Sequence, residues 1–217
     1  MSKLHIFDMD GTLLKGSACL ELSRHMGEVV SKAVDSIEER WSRGELSHLG
    51  FWEECLPLWE GLDDALIDKT FAATTWMNGI EAVWADIARR GEYSAVVTQS
   101  PQFFADRLLA WGVGTALGAG VYGGVPPDPQ LVITPDSKVP IAIELMKRHG
   151  VTSDDCVAYG DSSSDIPLFK MLTRTVAVNG VPALRKIAAA SYEGNDLWGA
   201  YVLGRLLLDQ PTQPMKR

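Results

Sequence analysis

The chain has 217 residues, 46% of them hydrophobic and 22% charged, which suits a soluble globular protein of one domain plus an insertion. A formal net charge of −8 with scattered basic residues argues against a nucleic-acid or anionic-membrane surface. No apolar run approaches the roughly 18 residues of a membrane span, no leader peptide is expected ahead of the first strand, and Cys19, Cys55 and Cys156, odd in number and far apart, suit buried thiols in a reducing cytoplasm.

Residues 4–7 form a short apolar run that ends at Asp8, the pattern of a buried strand. Residues 15–75 contain no such run. Their apolar positions recur at three and four, with Met26, Val30, Val34, Ile37 and Trp41 on one stripe and Leu49, Trp52, Cys55, Leu56 and Trp59 on a second after Gly44. This predicts an inserted helical cap rising from the strand end that carries Asp8 and Asp10, placed to close over a ligand. Ile80, Val83, Trp84, Ile87 and Ala88 then give a helix, residues 93–98 a second strand, and residues 104–111 another helix in which Ser100 reads as N-cap and Pro101 as first position.

Residues 121–134 read as a hairpin or flap around a Pro- and Gly-rich turn, followed by a helix over residues 141–148. Gly91, Gly112 and Gly150 stand where helices should end. Residues 156–159 and 175–178 are further apolar strands, and the tail from Gln210 to Arg217 reads as frayed. Strands of this kind alternating with helices predict an α/β fold, a parallel sheet covered on both faces. The expected core is residues 1–14 and 76–217, with the cap at 15–75.

The candidate chemistry lies at strand ends, where open α/β sheets bind ligands. Asp8, Met9, Asp10, Gly11 and Thr12 follow the first strand, and Gly160, Asp161 and Asp165 follow a later one. Four carboxylates gathered there would repel one another unless a cation shared the site, and all-oxygen ligation favours a hard ion such as Mg²⁺. Asp8 can attack phosphorus while Asp10 holds a proton for the leaving group. Gly11 can let the backbone approach a phosphate and Thr12 can cap the turn. Thr98, with Gln99 beside it, ends the second strand as a phosphate cradle. Lys138 can neutralise charge that grows in the transition state, and Asp165 can support the metal site from behind.

In order and spacing, Asp8-x-Asp10-Gly11-Thr12, Thr98, Lys138 and Gly160-Asp161-x-x-x-Asp165 resemble the four motifs of the haloacid dehalogenase superfamily, across nearly the whole chain. The resemblance implies a Rossmann-like three-layer core with a small helical cap, as in phosphoserine phosphatase-like members. It implies Asp8 as nucleophile and Asp10 as acid and base. Mg²⁺ would be held by Asp8, Asp10 through its backbone carbonyl and Asp161, with Asp165 behind. Gly11, Thr98, Gln99 and Lys138 would serve the phosphoryl group, and a small phosphorylated metabolite would be the partner.

Ser17 stands where phosphoserine phosphatases carry a Glu for the substrate amine. The segment from Phe51 to Trp59 lacks their Arg, Gln99 and Ser100 replace a Gly pair, and Ser164 replaces an Asn. A substrate other than phosphoserine is therefore expected, such as a sugar phosphate, given the tryptophans of the cap. Phosphoserine phosphatase is the alternative. A phosphoryl-accepting module such as a receiver domain also combines acids, a Thr and a Lys on a parallel sheet, but carries its acceptor on a middle strand without a cap.

Overall fold

The computed structural model describes residues 2–210, so the residues after Gln210 in the polar tail, Lys216 and Arg217 included, lie outside it. Among the described residues six strands form one sheet: β1 (Leu4–Phe7), β2 (Tyr93–Pro101), β3 (Thr115–Ala119), β4 (Cys156–Gly160), β5 (Thr175–Val178) and β6 (Ala190–Tyr192). Every pairing is parallel, in the order β3-β2-β1-β4-β5-β6. Between β1 and β2 run α1 (Ala18–Met26), α2 (Glu28–Ser42), α3 (His48–Cys55), α4 (Asp64–Ala73) and then α5 (Ile80–Arg89). The later helices are α6 (Gln102–Ala105), α7 (Lys138–His149), α8 (Ile166–Met171), α9 (Pro182–Arg185) and α10 (Leu197–Asp209). No described helix is long and apolar enough to cross a membrane.

Strand alternation builds the three layers. Leu4 and Ile6 join Ala95, Val97 and Ala158 against Leu145 and Met146 of α7 and Leu168 and Phe169 of α8. Phe7 faces the other way and joins Val96, Val157 and Tyr159 against Val83, Trp84 and Ile87 of α5 and Tyr201 of α10. All four β1 residues are buried, because β1 lies between two strands and two helical layers. Chain order runs outward from β1 in both directions, so its carboxyl end sits at a topological switch point, where the crevice of such sheets opens.

The chain leaves the core at Lys15, whose N–H donates to Thr75 O over 2.8 Å, and returns as Met77 N–H donates to Leu13 O over 2.8 Å. Helices α1 to α4 fill that interval. Gly27, at φ 118°, breaks the first apolar stripe, so Met26 closes α1 while Val34 and Ile37 belong to α2. The positive-φ turns expected at Gly91, Gly112 and Gly150 are present.

Four local expectations change. Strands β3 and β6 were not among the apolar runs; both are sheet edges, and β3 is built of small residues. Its Gly118 is required, since a Cβ there would sit 2.6 Å from Ser100 O. Residues 121–134 form turns and no hairpin, because Pro126, Pro127 and Pro129 cannot donate to a ladder; the segment closes local turns, with Val125 N–H donating to Tyr122 O over 3.1 Å and Leu131 N–H to Asp128 O over 3.0 Å, and touches the insert where Gly124 N–H donates to Leu56 O over 2.7 Å. The helix expected over 104–111 is only the single turn of α6 followed by a tighter 3₁₀ stretch. Finally, β2 continues through Ser100 to Pro101, which pairs with Ala119. Ser100 is therefore not an N-cap, and its hydroxyl is directed elsewhere.

Candidate active site

Asp8 is the first residue beyond β1, anchored by its N–H to Tyr159 O at 2.9 Å. The following turn closes on itself: the N–H groups of Thr12, Leu13 and Leu14 all donate to Met9 O. Thr12 Oγ1 is buried with no partner among the described residues, so the hydroxyl does not cap the turn as expected. Gly11 holds φ 73°, and a Cβ there would overlap the Asp161 carboxylate. The close approach at Gly11 is thus from Asp161 across the crevice, and its own N–H is already bonded to Gly16 O.

Lys138, expected just ahead of a helix, is the first residue of α7 and is 1% exposed. Its Nζ donates to Asp8 Oδ1 at 2.9 Å, to Asp165 Oδ1 at 2.7 Å and weakly to Ser164 Oγ at 3.4 Å. The other Asp165 oxygen accepts from the N–H groups of Asp161 at 3.0 Å and Ser162 at 3.2 Å. Asp165 is therefore fully engaged in holding the β4 turn and the lysine.

Carboxylate oxygens of Asp8, Asp161 and Asp165 come within 4.8 Å of one another. The Asp10 side chain is not in that group. Its Oδ1 accepts from Ala18 N–H at 3.1 Å, and its Oδ2 accepts from the Ser100 hydroxyl. Two carboxylates two residues apart thus occupy different surroundings, the arrangement that separates an acid from a nucleophile.

Electrostatics follow from the count of charges. Burial raises the Asp8 pKa well above the usual range, the Asp165 charge adds to this, and Lys138 opposes it. Burial and the Asp165 charge lift Asp161 to about 7. Asp10 is raised by burial despite the hydrogen bonds from Ser100 and Ala18. Burial alone would lower Lys138, but the Asp165 and Asp8 charges overcome it and keep the ammonium charged. One cation among four acids leaves the site short of positive charge. Asp161 Oδ1 is also buried without a partner among the described residues. An all-oxygen donor set with an orphaned carboxylate oxygen fits a hard divalent cation.

Thr98, 1% exposed, accepts from Ser100 N–H at 3.1 Å, and Gln99 donates to Ile133 O at 3.2 Å. Both line a pocket with Asp8 and Asp10, roofed by Trp41, His48, Phe51 and Trp52 of the insert. Its volume, about 180 Å³, suits a small ligand. Sequence reasoning singled out neither Ser100 as a partner of Asp10 nor Glu38, which also lines the pocket. A hydroxyl two residues past Thr98 was the available signal for Ser100, but only the pairing of β2 with β1 brings it beside Asp10. Glu38 had none, being one charge on a helix rich in them. Cys19, Cys55 and Cys156 are free and buried, with thiol pKa values raised by burial.

The model of haloacid dehalogenase-like hydrolases matches residues 6–170. The chain belongs to this family. It is 25% identical over 205 residues to the phosphoserine phosphatase of Archaeoglobus fulgidus, covering 91% of this chain but only 58% of that protein, little more than half its length. It is 26% identical over 209 residues to the phosphoserine phosphatase of Methanocaldococcus jannaschii, covering 90% of this chain and 94% of that one. Among solved structures, a substrate-bound phosphoserine phosphatase complex superposes with a TM-score of 0.76 at 24% identity, over 92% of this chain and 96% of that one. A haloacid dehalogenase-family hydrolase, t0658, from Salmonella enterica serovar Typhi gives a TM-score of 0.79 at 19% identity, over 92% and 71%. At these identities the structural likeness establishes the fold alone, the α/β architecture these structures share.

Proposed function

We propose that the chain is a Mg²⁺-dependent phosphomonoesterase that hydrolyses a small phosphorylated metabolite through an aspartyl-phosphate at Asp8, with α1 to α4 as its cap. The observation that carries this reading is the division of labour after β1: Asp8 is held by Lys138 in a crowd of acids, while Asp10 is held by Ser100 and Ala18 apart from it. An Asp8 oxygen attacks phosphorus and the ester oxygen leaves. Asp10, whose burial favours the protonated form, gives its proton to that oxygen. A water then attacks the aspartyl-phosphate, Asp10 takes its proton back, and inorganic phosphate departs. Lys138 steadies the Asp8 carboxylate from behind and offsets phosphoryl charge, while Thr98 and Gln99 line the pocket beside Asp8.

Mg²⁺, held by Asp8, Asp161 and the Asp10 carbonyl, would neutralise negative charge on the phosphoryl oxygens. Asp165 would stand behind the metal, because both of its oxygens already serve Lys138 and the β4 turn.

Phosphoserine is the substrate that the names of the curated relatives favour. The pocket favours another, since no Arg or Lys lines it among the described residues and its insert side is aromatic, a wall that suits a sugar phosphate or another non-phosphoserine ester. Three free, buried thiols suit the reducing cytoplasm expected for the chain. Phosphate release from p-nitrophenyl phosphate and a panel of phosphorylated metabolites, with and without chelator, tests the reading. Multiple turnovers that require Mg²⁺ are expected, whereas a single stable phosphorylation without turnover would indicate a phosphoryl-accepting module.

A further inference from the structure

The pocket roof carries a carboxylate that the proposed hydrolysis does not use. Glu38 of α2 lines the same pocket as Asp10, and its Oε1 accepts from the Ser17 hydroxyl at 2.9 Å. Ser17 adjoins Ala18, whose N–H holds Asp10, so Glu38 stands next to the point where a leaving group would depart. The three arginines of the insert pair with other acids. Arg24 pairs with Glu21, Arg40 with Glu54 and Arg43 with Glu45, and Glu38 has no ion-pair partner among the described residues. Burial raises its pKa, the Ser17 hydrogen bond opposes that, the charges of Asp10 and Asp35 raise it further, and the nearby Arg24 charge only partly offsets them. This carboxylate lacks an ion-pair partner among the described residues, Arg24 being engaged by Glu21.

The surrounding wall is of the kind that accepts one. Trp41 lies 5.7 Å, ring centre to ring centre, from Phe51, and Phe51 lies 5.1 Å from Trp52. His48 stands 5.4 Å from Trp41, and its buried Nε2 has no partner among the described residues. Burial lowers the His48 pKa, so the imidazole adds no positive charge. Aromatic faces beside a half-buried carboxylate attract alkylammonium groups, and more strongly than they attract a neutral group of the same shape. A substrate carboxylate would meet Glu38 with no Arg or Lys on the pocket wall to receive it.

We propose that Glu38 and the wall of Trp41, Phe51 and Trp52 form a recognition site for an ammonium group, so that the preferred substrate is the phosphomonoester of an amino alcohol without a carboxylate. This rests on the phosphomonoesterase reading and names the organic half of its substrate. Ser17 positions Glu38, which selects the substrate and takes no part in bond breaking.

The test compares kcat/KM for phosphocholine and phosphoethanolamine with that for phosphoserine and for the uncharged dimethylbutyl isostere of phosphocholine, all with Mg²⁺. The cationic esters should exceed the neutral isostere by about tenfold or more. Glu38→Gln keeps the shape of the side chain and should collapse that ratio. An isostere turned over as fast as phosphocholine, or a ratio unchanged in Glu38→Gln, overturns the proposal. Hydrolysis of p-nitrophenyl phosphate without cation preference would sink this inference and leave the phosphatase reading standing. Binding is read without turnover from tryptophan fluorescence: choline should perturb it at concentrations where dimethylbutanol does not, and equal responses overturn the proposal even in an inactive protein.

Discussion

Strand β1 carries a buried charged cluster at each end, and the two are built on opposite principles. Near its start, His5 touches Tyr159 Oη at 3.0 Å and Glu92 at 3.2 Å, and Arg205 grips both Glu92 oxygens at 2.7 and 2.6 Å. Beside it Asp86 accepts from Arg90 at 2.7 Å, from Tyr201 at 2.8 Å and from Arg89. Hydrogen bonds from Arg90, Tyr201 and Arg89 hold Asp86 down at about 2, and those from His5 and Arg205 outweigh burial to keep Glu92 low. Past the other end, Asp8, Asp10 and Asp161 are all pushed up. The acids at the start of β1 are matched by cations and donors, whereas those past its end are left in excess, which on the proposed reading keeps a place for a cation and a phosphoryl group.

Asp8→Asn gives the largest expected effect: turnover of p-nitrophenyl phosphate should fall by roughly 10⁴-fold or more. The protein should remain folded with an undiminished metal-free melting temperature, because one repelling charge is gone. A folded Asp8→Asn enzyme with parental turnover would remove Asp8 from the mechanism. Lys138→Met attacks the same cluster from its single cation. Activity should drop by about 10²–10³-fold, and the metal-free protein should lose about 3 kcal/mol or more in urea melts, as Asp8 and Asp165 are left buried and unpaired. Full stability in Lys138→Met would mean that the cluster is solvated and not strained.

Mg²⁺ and pH separate the two clusters by sign. Asp161, raised to about 7, is protonated in the folded chain where it is ionised in the unfolded one, so metal-free stability falls as pH rises from about 4 to about 7. A metal ion needs the ionised form, so Mg²⁺ should raise the melting temperature more at about pH 7.5 than at about pH 5. Equal gains at both would deny that the acids are raised. The lowered Glu92 and Asp86 act the other way: their contribution is present above the usual carboxylate range and is lost as pH falls through it. The smallest effect is expected from Arg205→Met, which should cost about 1–3 kcal/mol and leave kcat unchanged. A loss of turnover in that variant would show that the two ends of β1 are coupled.

Much of this architecture was legible from the chain. Apolar runs that end in acids mark β1 and β4, since a strand buried on both faces needs no polar alternation and its carboxyl end opens to the crevice. Strands β3 and β6 escaped because edge strands carry little apolar signal. Asp8, Lys138, Asp161 and Asp165 were singled out from motif order, and the structure brings them into one cluster. Ser100 was misread because strand β2 runs past it to pair with β3, a long-range choice that outweighs a good N-cap sequence. The supposed hairpin over 121–134 failed because its prolines cannot donate to a ladder, so its backbone closes local turns, Val125 N–H on Tyr122 O and Leu131 N–H on Asp128 O, with Gly124 N–H reaching the insert at Leu56 O.

Sequence order alone nominated the residues proposed to carry chemistry, because a strand that terminates in Asp-x-Asp, a later strand that terminates in Gly-Asp and one lysine between them already define charge, spacing and chain direction. Tertiary structure decided how the charges divide. It drew Asp165 to Lys138, turned Asp10 toward Ser100, and set Glu38 with three aromatic rings on the wall of the same pocket. Those outcomes depend on which groups share a dry space and which find partners, and burial and pairing across distant elements are properties of the folded chain only.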